Sequence, residues 1–174
     1  MTKKELAKQI FQVAHLTGKF KLRSGIISEE YFDKYQFESI PELLNEICKY
    51  FVEMINFDFD LLAGLEVGGI PIATTLSLLT NKPMVFVRKK AKEYGTAKIV
   101  EGQNIVNKEL LIVEDVVTSG GQIILSVDDL RKEGANISKA ICVIDREQGG
   151  KDALKNIGIE LLPLFTMNEL KSNI

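Results

Sequence analysis

Leu110-Leu111-Ile112-Val113-Glu114-Asp115-Val116-Val117-Thr118-Ser119-Gly120-Gly121-Gln122 is the stretch on which the reading of this chain turns. Four aliphatic residues in succession suit a strand covered on both faces, as strands of parallel sheets are. Two adjacent carboxylates stand at the end of that run, and a loop of small residues follows. Ile123, Val127 and Leu130 then recur at helical spacing, which predicts a helix from about Gly121 to Glu133. Strand, polar loop and helix in this order make half of a βαβ unit.

The same alternation extends in both directions. Upstream, Leu61–Leu65 reads as a strand, with a helix from about Gly69 to Leu79 and a second strand at Met84–Val87. Downstream come a strand at Ala140–Ile144, a helix over Gly149–Ile157 and a strand at Ile159–Phe165. Strands alternating with helices imply an α/β fold, a mainly parallel sheet with helices on both faces. Ahead of it, Thr2 with Glu5, and Ser39 with Glu42, are capping-box signatures for two amphipathic helices. The first would carry Leu6, Ile10, Val13 and Ala14, with His15 in the same helix as a structural residue. The second would carry Leu44, Ile47, Phe51, Met54 and Ile55. Residues 18–33 between them read as irregular strand and loop.

The composition fits one domain over residues 1–174, and it excludes several classes of protein. With 22 Lys+Arg against 24 Asp+Glu, a broad nucleic-acid surface is not expected. No apolar run reaches the ~18 residues needed to span a bilayer. Lys8 interrupts the stretch where a signal peptide would need unbroken apolar sequence. Cys48 and Cys142 are far apart and have no metal spacing, so a reduced, cytoplasmic protein is expected.

In such sheets ligands bind beyond the carboxyl ends of the strands. Paired acids beside a small-residue loop suit a ribose diol, a hydrated Mg²⁺ or both, while the loop and helix start offer backbone N–H groups to an anion. Helix capping by the same Asp and Thr is the plainer alternative. The pattern is neither a P-loop nor G-x-G-x-x-G. From Arg88 to Lys98 there are five cations and one anion, a net +4 in an otherwise acidic chain. Such a run is a solvated surface loop or a cationic lid. A third strand end, Asp145-Arg146, reads as a surface ion pair or an anion-gripping arginine.

The string 110–122 resembles the phosphoribosyl-diphosphate (PRPP) signature of type I phosphoribosyltransferases: an apolar tetrad, two acids, two apolar residues and a Thr/Ser/Gly loop. R-K-x-x-K-x-Y-G from Arg88 is similar to the catalytic loop of the orotate phosphoribosyltransferases, and residues 18–33 and 145–150 look like two further motifs of that family. The resemblance implies a small N-terminal hood at about 18–37 and a mobile catalytic loop at about 88–101. It implies PRPP contacts from Val67, Gly68 and Gly69, from Arg88, Lys89, Lys92 and Tyr94, and from Glu114, Asp115, Val116, Val117, Thr118, Ser119, Gly120, Gly121 and Gln122. Lys92, Glu114 and Asp115 would be catalytic. Arg23, Tyr31, Phe32, Thr118 and Arg146 would bind orotate, since an aromatic wall and cations suit a flat anionic ring. Mg²⁺ would be held through PRPP and water, with Glu114 and Asp115 as possible ligands.

The implied activity is orotate plus PRPP giving orotidine 5′-monophosphate and pyrophosphate, in a homodimer whose catalytic loop is shared across subunits. Two departures from the family pattern stand out: Tyr94 takes the place of its usual His, and the Lys commonly found near Gly68 is missing. The alternatives are transfer to another nucleobase, or PRPP sensing without turnover.

Overall fold

The computed structural model describes residues 1–21, 25, 27–90 and 99–172. Helix α1 (Lys3–Ala14) starts with the expected capping box: Glu5 N donates to Thr2 Oγ1 at 3.2 Å, and Thr2 N donates to Glu5 Oε2 at 2.8 Å. Within the segment read as irregular strand and loop, residues 18–21 and 27–32 lie in a two-stranded antiparallel ribbon, β1 (His15–Lys21) with β2 (Ile27–Phe32), whose register shifts between Thr17 and Phe20. His15, expected within the first helix, is its C-cap and opens β1; its Nε2 lies 2.7 Å from Glu30 Oε2 and its ring stacks on Phe11.

A one-turn helix α2 (Tyr35–Glu38) follows, anchored by the fully buried Phe37. The next helix, α3 (Pro41–Met54), corrects a second expectation. Ile40 is its cap residue, no side chain caps it, and Ser39 Oγ donates instead to Gln36 O at 3.1 Å. Pro41 at the first turn accounts for this. It has no amide to satisfy, and its fixed φ already suits a helix.

The remaining elements run in the expected order: β3 (Leu61–Leu65), α4 (Gly69–Thr80), β4 (Met84–Val87), β5 (Val100–Gly102), β6 (Glu109–Val117), α5 (Gly121–Lys132), β7 (Asn136–Asp145), α6 (Gly150–Asn156), β8 (Glu160–Thr166) and α7 (Met167–Ser172). Among the described residues the strands form a six-stranded sheet in the order β5-β4-β3-β6-β7-β8, parallel except where β5 returns antiparallel on β4. The α/β reading holds. The strand β5 and the helices α2 and α7 add to it.

Alternation along each strand divides the interior into two layers. Leu111 and Val113 of β6 join α1, α3, α4 and α7 on one face, while Leu110 and Ile112 join α5 and α6 on the other. Each fully buried Leu or Ile here contributes ~1.5–3 kcal/mol relative to exposure. From β3 the chain moves outward to β4 and β5, then returns to the other side of β3 as β6. The direction of winding therefore reverses between β3 and β6, and a crevice opens at the carboxyl ends of strands at such a point.

Candidate active site

β6 does not stop after its four aliphatics. It runs on to Val117, so Glu114 and Asp115 lie within the strand and not beyond its end. Neighbouring strand residues face opposite sides, and the two carboxylates are split accordingly. Glu114 lines a depression with Val116, Val117, Thr118, Ser119, Gly120, Gly121 and Gln122. Asp115, completely buried, turns toward the loop after β3 and toward α2.

The loop after β6 is built to present backbone. Gly120 has φ +76°, a left-handed conformation that side-chain-bearing residues seldom adopt, and α5 begins directly after it with no side-chain cap. The first amides of that helix are thus left to a ligand or water, and the helix dipole adds to their pull on an anion. Thr118 and Ser119 are exposed. The side-chain amide of Gln122 is turned onto its own helix, donating to Ser126 Oγ at 3.3 Å. Gly150 supports the loop from below: a Cβ there would come within 2.5 Å of Thr118 O and 2.6 Å of Val117 Cγ1.

The loop after β3 packs against β6 through two glycines. A side chain at Gly69 would overlap the Val113 carbonyl, and one at Gly68 would overlap the Asp115 carboxylate. Val67 beside them is exposed. The Glu66–Val67 peptide is cis. Glu66 Oε1 accepts from Lys89 N at 2.7 Å, which ties this loop to the start of the basic segment. Arg88 N donates to Ile99 O at 2.9 Å and so joins the two ends of that segment. Lys92 and Tyr94 lie outside the described residues, as does Arg23.

Arg146 follows β7 and shares one cavity with Tyr31 and Phe32 of the ribbon. Arg146 N donates to Val117 O at 2.9 Å, so this cavity adjoins the loop that carries Thr118. Asp145, read as a possible ion-pair partner of Arg146, accepts from Glu147 N at 2.9 Å and shapes the turn.

Two residues at the site escaped the sequence reading. Lys34 Nζ lies 2.5 Å from Asp115 Oδ2, and Glu38, buried at 7% exposure, approaches the same carboxylate from α2. Burial, then the charge of Asp115, pushes the Glu38 carboxyl up to about 9, and burial with the same charge raises Glu114 well above the carboxylate range. Burial alone would lower Lys34, but Asp115 outweighs it and the net direction is upward. Their signal was faint: Lys34 and Glu38 stand four apart, a spacing that places two side chains on one face of a helical turn.

Glu38 makes stability depend on pH. The folded chain keeps a proton on Glu38 that the unfolded chain releases above the ordinary value of 4.5, so stability declines as pH rises from there to about 9. Glu38→Gln should flatten the fall of Tm between pH 5 and pH 9, as read by thermal melts. Parallel curves for the two proteins would mean that Glu38 is ionised in the fold.

Comparison with known proteins adds a separate line of observation. Residues 34–159 match the phosphoribosyl transferase domain. The chain is 46% identical over 165 residues to an orotate phosphoribosyltransferase of a Nocardioides species, covering 95% of this chain and 92% of that protein. It is 42% identical over 153 residues to the orotate phosphoribosyltransferase of Halobacterium salinarum, covering 88% of this chain and 87% of the relative. The crystal structure of orotate phosphoribosyltransferase from Aeropyrum pernix superposes with a TM-score of 0.85 at 29% identity, over 96% of both chains.

Proposed function

This chain belongs to the orotate phosphoribosyltransferase family, and we infer from that membership and from its sheet edge how it works. It is a pentosyltransferase that moves the 5-phosphoribosyl group of PRPP to orotate, giving orotidine 5′-monophosphate and pyrophosphate in pyrimidine (UMP) biosynthesis. One observation carries the assignment of roles. The amide of Arg146 is hydrogen-bonded to Val117 O, which sets a cation and an aromatic-lined cavity beside the small-residue loop and its carboxylates.

In this reading the loop Thr118–Gln122 takes the 5′-phosphate on its backbone amides. Glu114 and Asp115 take the ribose hydroxyls from the two sides of β6. Val67, Gly68 and Gly69 receive the diphosphate. Arg146, Thr118 and Arg23 hold the orotate anion, with Tyr31 and Phe32 against its ring. The ring nitrogen of orotate attacks the anomeric carbon as the carbon–oxygen bond to pyrophosphate breaks, and the electron pair leaves with the diphosphate. An anionic nucleophile needs no strong general base. The protein's work is therefore alignment, together with neutralisation of the departing charge by Arg88, Lys89 and Lys92, with Tyr94 as a hydrogen-bond donor.

Mg²⁺ bound through the diphosphate and water would supply further neutralisation of the leaving group. The donors available fit such an ion. Glu114 and Asp115 offer oxygen donors on β6, and Mg²⁺ keeps several waters and uses few carboxylates. The proposed assembly is a homodimer in which the segment between β4 and β5 reaches the neighbouring site; Val100 and Glu101, at the far end of the expected 88–101 loop, belong to β5 instead, where they pair with β4. A cytoplasmic location is supported by Cys48 and Cys142, both free and buried, with burial raising both thiols. No helix among the described residues is long and apolar enough to cross a membrane.

The test is purified protein with PRPP and Mg²⁺, offered orotate, uracil and the purine bases. Nucleotide should form with orotate alone. Arg146→Ala should raise the KM for orotate about tenfold to a hundredfold, the worth of one charged hydrogen-bonding group, and leave the KM for PRPP unchanged. Turnover of a base lacking a carboxylate, with Arg146→Ala silent, would reject the orotate assignment.

A further inference from the structure

We propose that Lys34 is an additional cation of the diphosphate site, exchanging its partner from Asp115 to the pyrophosphate group when PRPP binds. The proposal rests on the functional reading above and adds a residue to it. Three observations point the same way.

The first is placement. Lys34 Nζ and the Cα of Gly68 both lie against the same oxygen, Asp115 Oδ2, so the ammonium sits at the loop that receives the diphosphate. The glycine cannot supply a charge there, because any side chain it carried would overlap Asp115. A cation at that point has to come from another element, and Lys34 reaches it from the segment before α2.

The second is the order of access. The Lys34 side chain is 33% exposed and Asp115 is fully buried beneath it. An incoming anion therefore meets the ammonium before a ribose hydroxyl can meet the carboxylate. For Asp115 to accept from the sugar, Lys34 has to withdraw, and a diphosphate arriving at Gly68 offers it a new anionic partner.

The third is charge. Asp115 holds the ion pair with Lys34, Glu38 beside it keeps its proton, and Glu114 faces the other side of β6. A diphosphate brought up to the Asp115 carboxylate without a cation would be repelled. With the exchange, Lys34 keeps an anionic partner throughout and Asp115 passes from an ammonium to hydroxyl donors. No charge is left buried alone, a state that costs several kcal/mol. The Lys34 backbone stays fixed, since Asp33 N donates to Ala14 O and Phe37 is buried, so the swing is confined to the side chain.

The experiment is calorimetric titration of inorganic pyrophosphate and of orotidine 5′-monophosphate into wild type, Lys34→Met and Lys34→Arg, with steady-state kinetics and Tm on each. Lys34→Met should weaken pyrophosphate about tenfold to a hundredfold and raise the KM for PRPP in parallel. Affinity for the nucleotide, which has no diphosphate, should not fall, because deleting the ammonium leaves Asp115 open to the sugar, and Lys34→Arg should recover most of the pyrophosphate loss. Unchanged pyrophosphate affinity with a lowered Tm would make Lys34 only a structural partner of Asp115 and overturn the proposal. Tighter pyrophosphate binding would do the same, by showing a plug. If Lys34→Met does not fold, Asp115→Asn and the pair Lys34→Met/Asp115→Asn leave no unpaired buried carboxylate. Equal pyrophosphate affinity in those two proteins would also overturn it. A wild type that binds pyrophosphate yet transfers to no base would reject the orotate reading and leave this one standing.

Discussion

Gly68→Ala is expected to lose about a hundredfold or more in kcat/KM, because a misplacement of ~1 Å at a reacting centre costs on that order. The added methyl would overlap Asp115 Oδ2 and come 2.9 Å from Glu38 Oε1, in a place where Asp115 is fully buried. Asp115 cannot retreat without disturbing its ion pair with Lys34. Overpacking of this kind also costs ~1–3 kcal/mol of stability, so Tm should fall. Gly121→Ala is the matched control. Its Cβ would meet nothing nearer than Ser119 Oγ at 3.7 Å, so its Tm should stay close to wild type. Assay and melting curves on the two variants decide the matter. A fully active Gly68→Ala would remove the need for Asp115 to stand where it does.

Lys92→Ala should lower kcat by ~10²–10³, the usual effect of deleting one group that stabilises transition-state charge, with Tm essentially unchanged. The residue lies outside the described part of the chain, and its role comes from the sequence resemblance. The structure contributes the two ends of the segment, closed by Arg88 N to Ile99 O and linked to the β3 loop through Lys89 and Glu66. Equal losses of activity and melting temperature would mark Lys92 as a stabilising residue. Mixing Lys92→Ala with Asp115→Asn protein extends the test. If the segment serves the neighbouring subunit, mixed dimers pair both lesions in one site and leave the other intact, so activity returns. Continued inactivity of dimers shown to have exchanged subunits would place loop and carboxylate in the same chain.

The parallel sheet was legible because its strands are continuous aliphatic runs and its helices are amphipathic, two patterns that local sequence carries in full. β5 was not, since three residues, Val100–Gly102, are too few to set a period. α2 is a single turn held by Phe37, and no local rule separates that from a loop. At Ser39 two local signals competed, a serine–glutamate spacing and a proline, and the proline set the helix start.

The small-residue loop and the strand-end arginine could be found because each is contiguous. The opposed facing of Glu114 and Asp115 could not, since it follows from β6 running on to Val117. Lys34 and Glu38 are a different case. They reach the site through a contact about 80 residues away in sequence, with Asp115, and only the folded sheet brings that carboxylate to them.

The two flanks of the main sheet constrain how copies of this protein can meet. One flank is β5, very short and ending in glycine; the other is β8, interrupted by Pro163, which has no amide hydrogen to offer. Neither presents the long unbroken row of donors and acceptors that a foreign strand needs for docking, which also blunts fibril-like growth. Any pairing of copies would then run through side chains on broad surfaces, a mode of contact that single substitutions can weaken without unravelling the protomer.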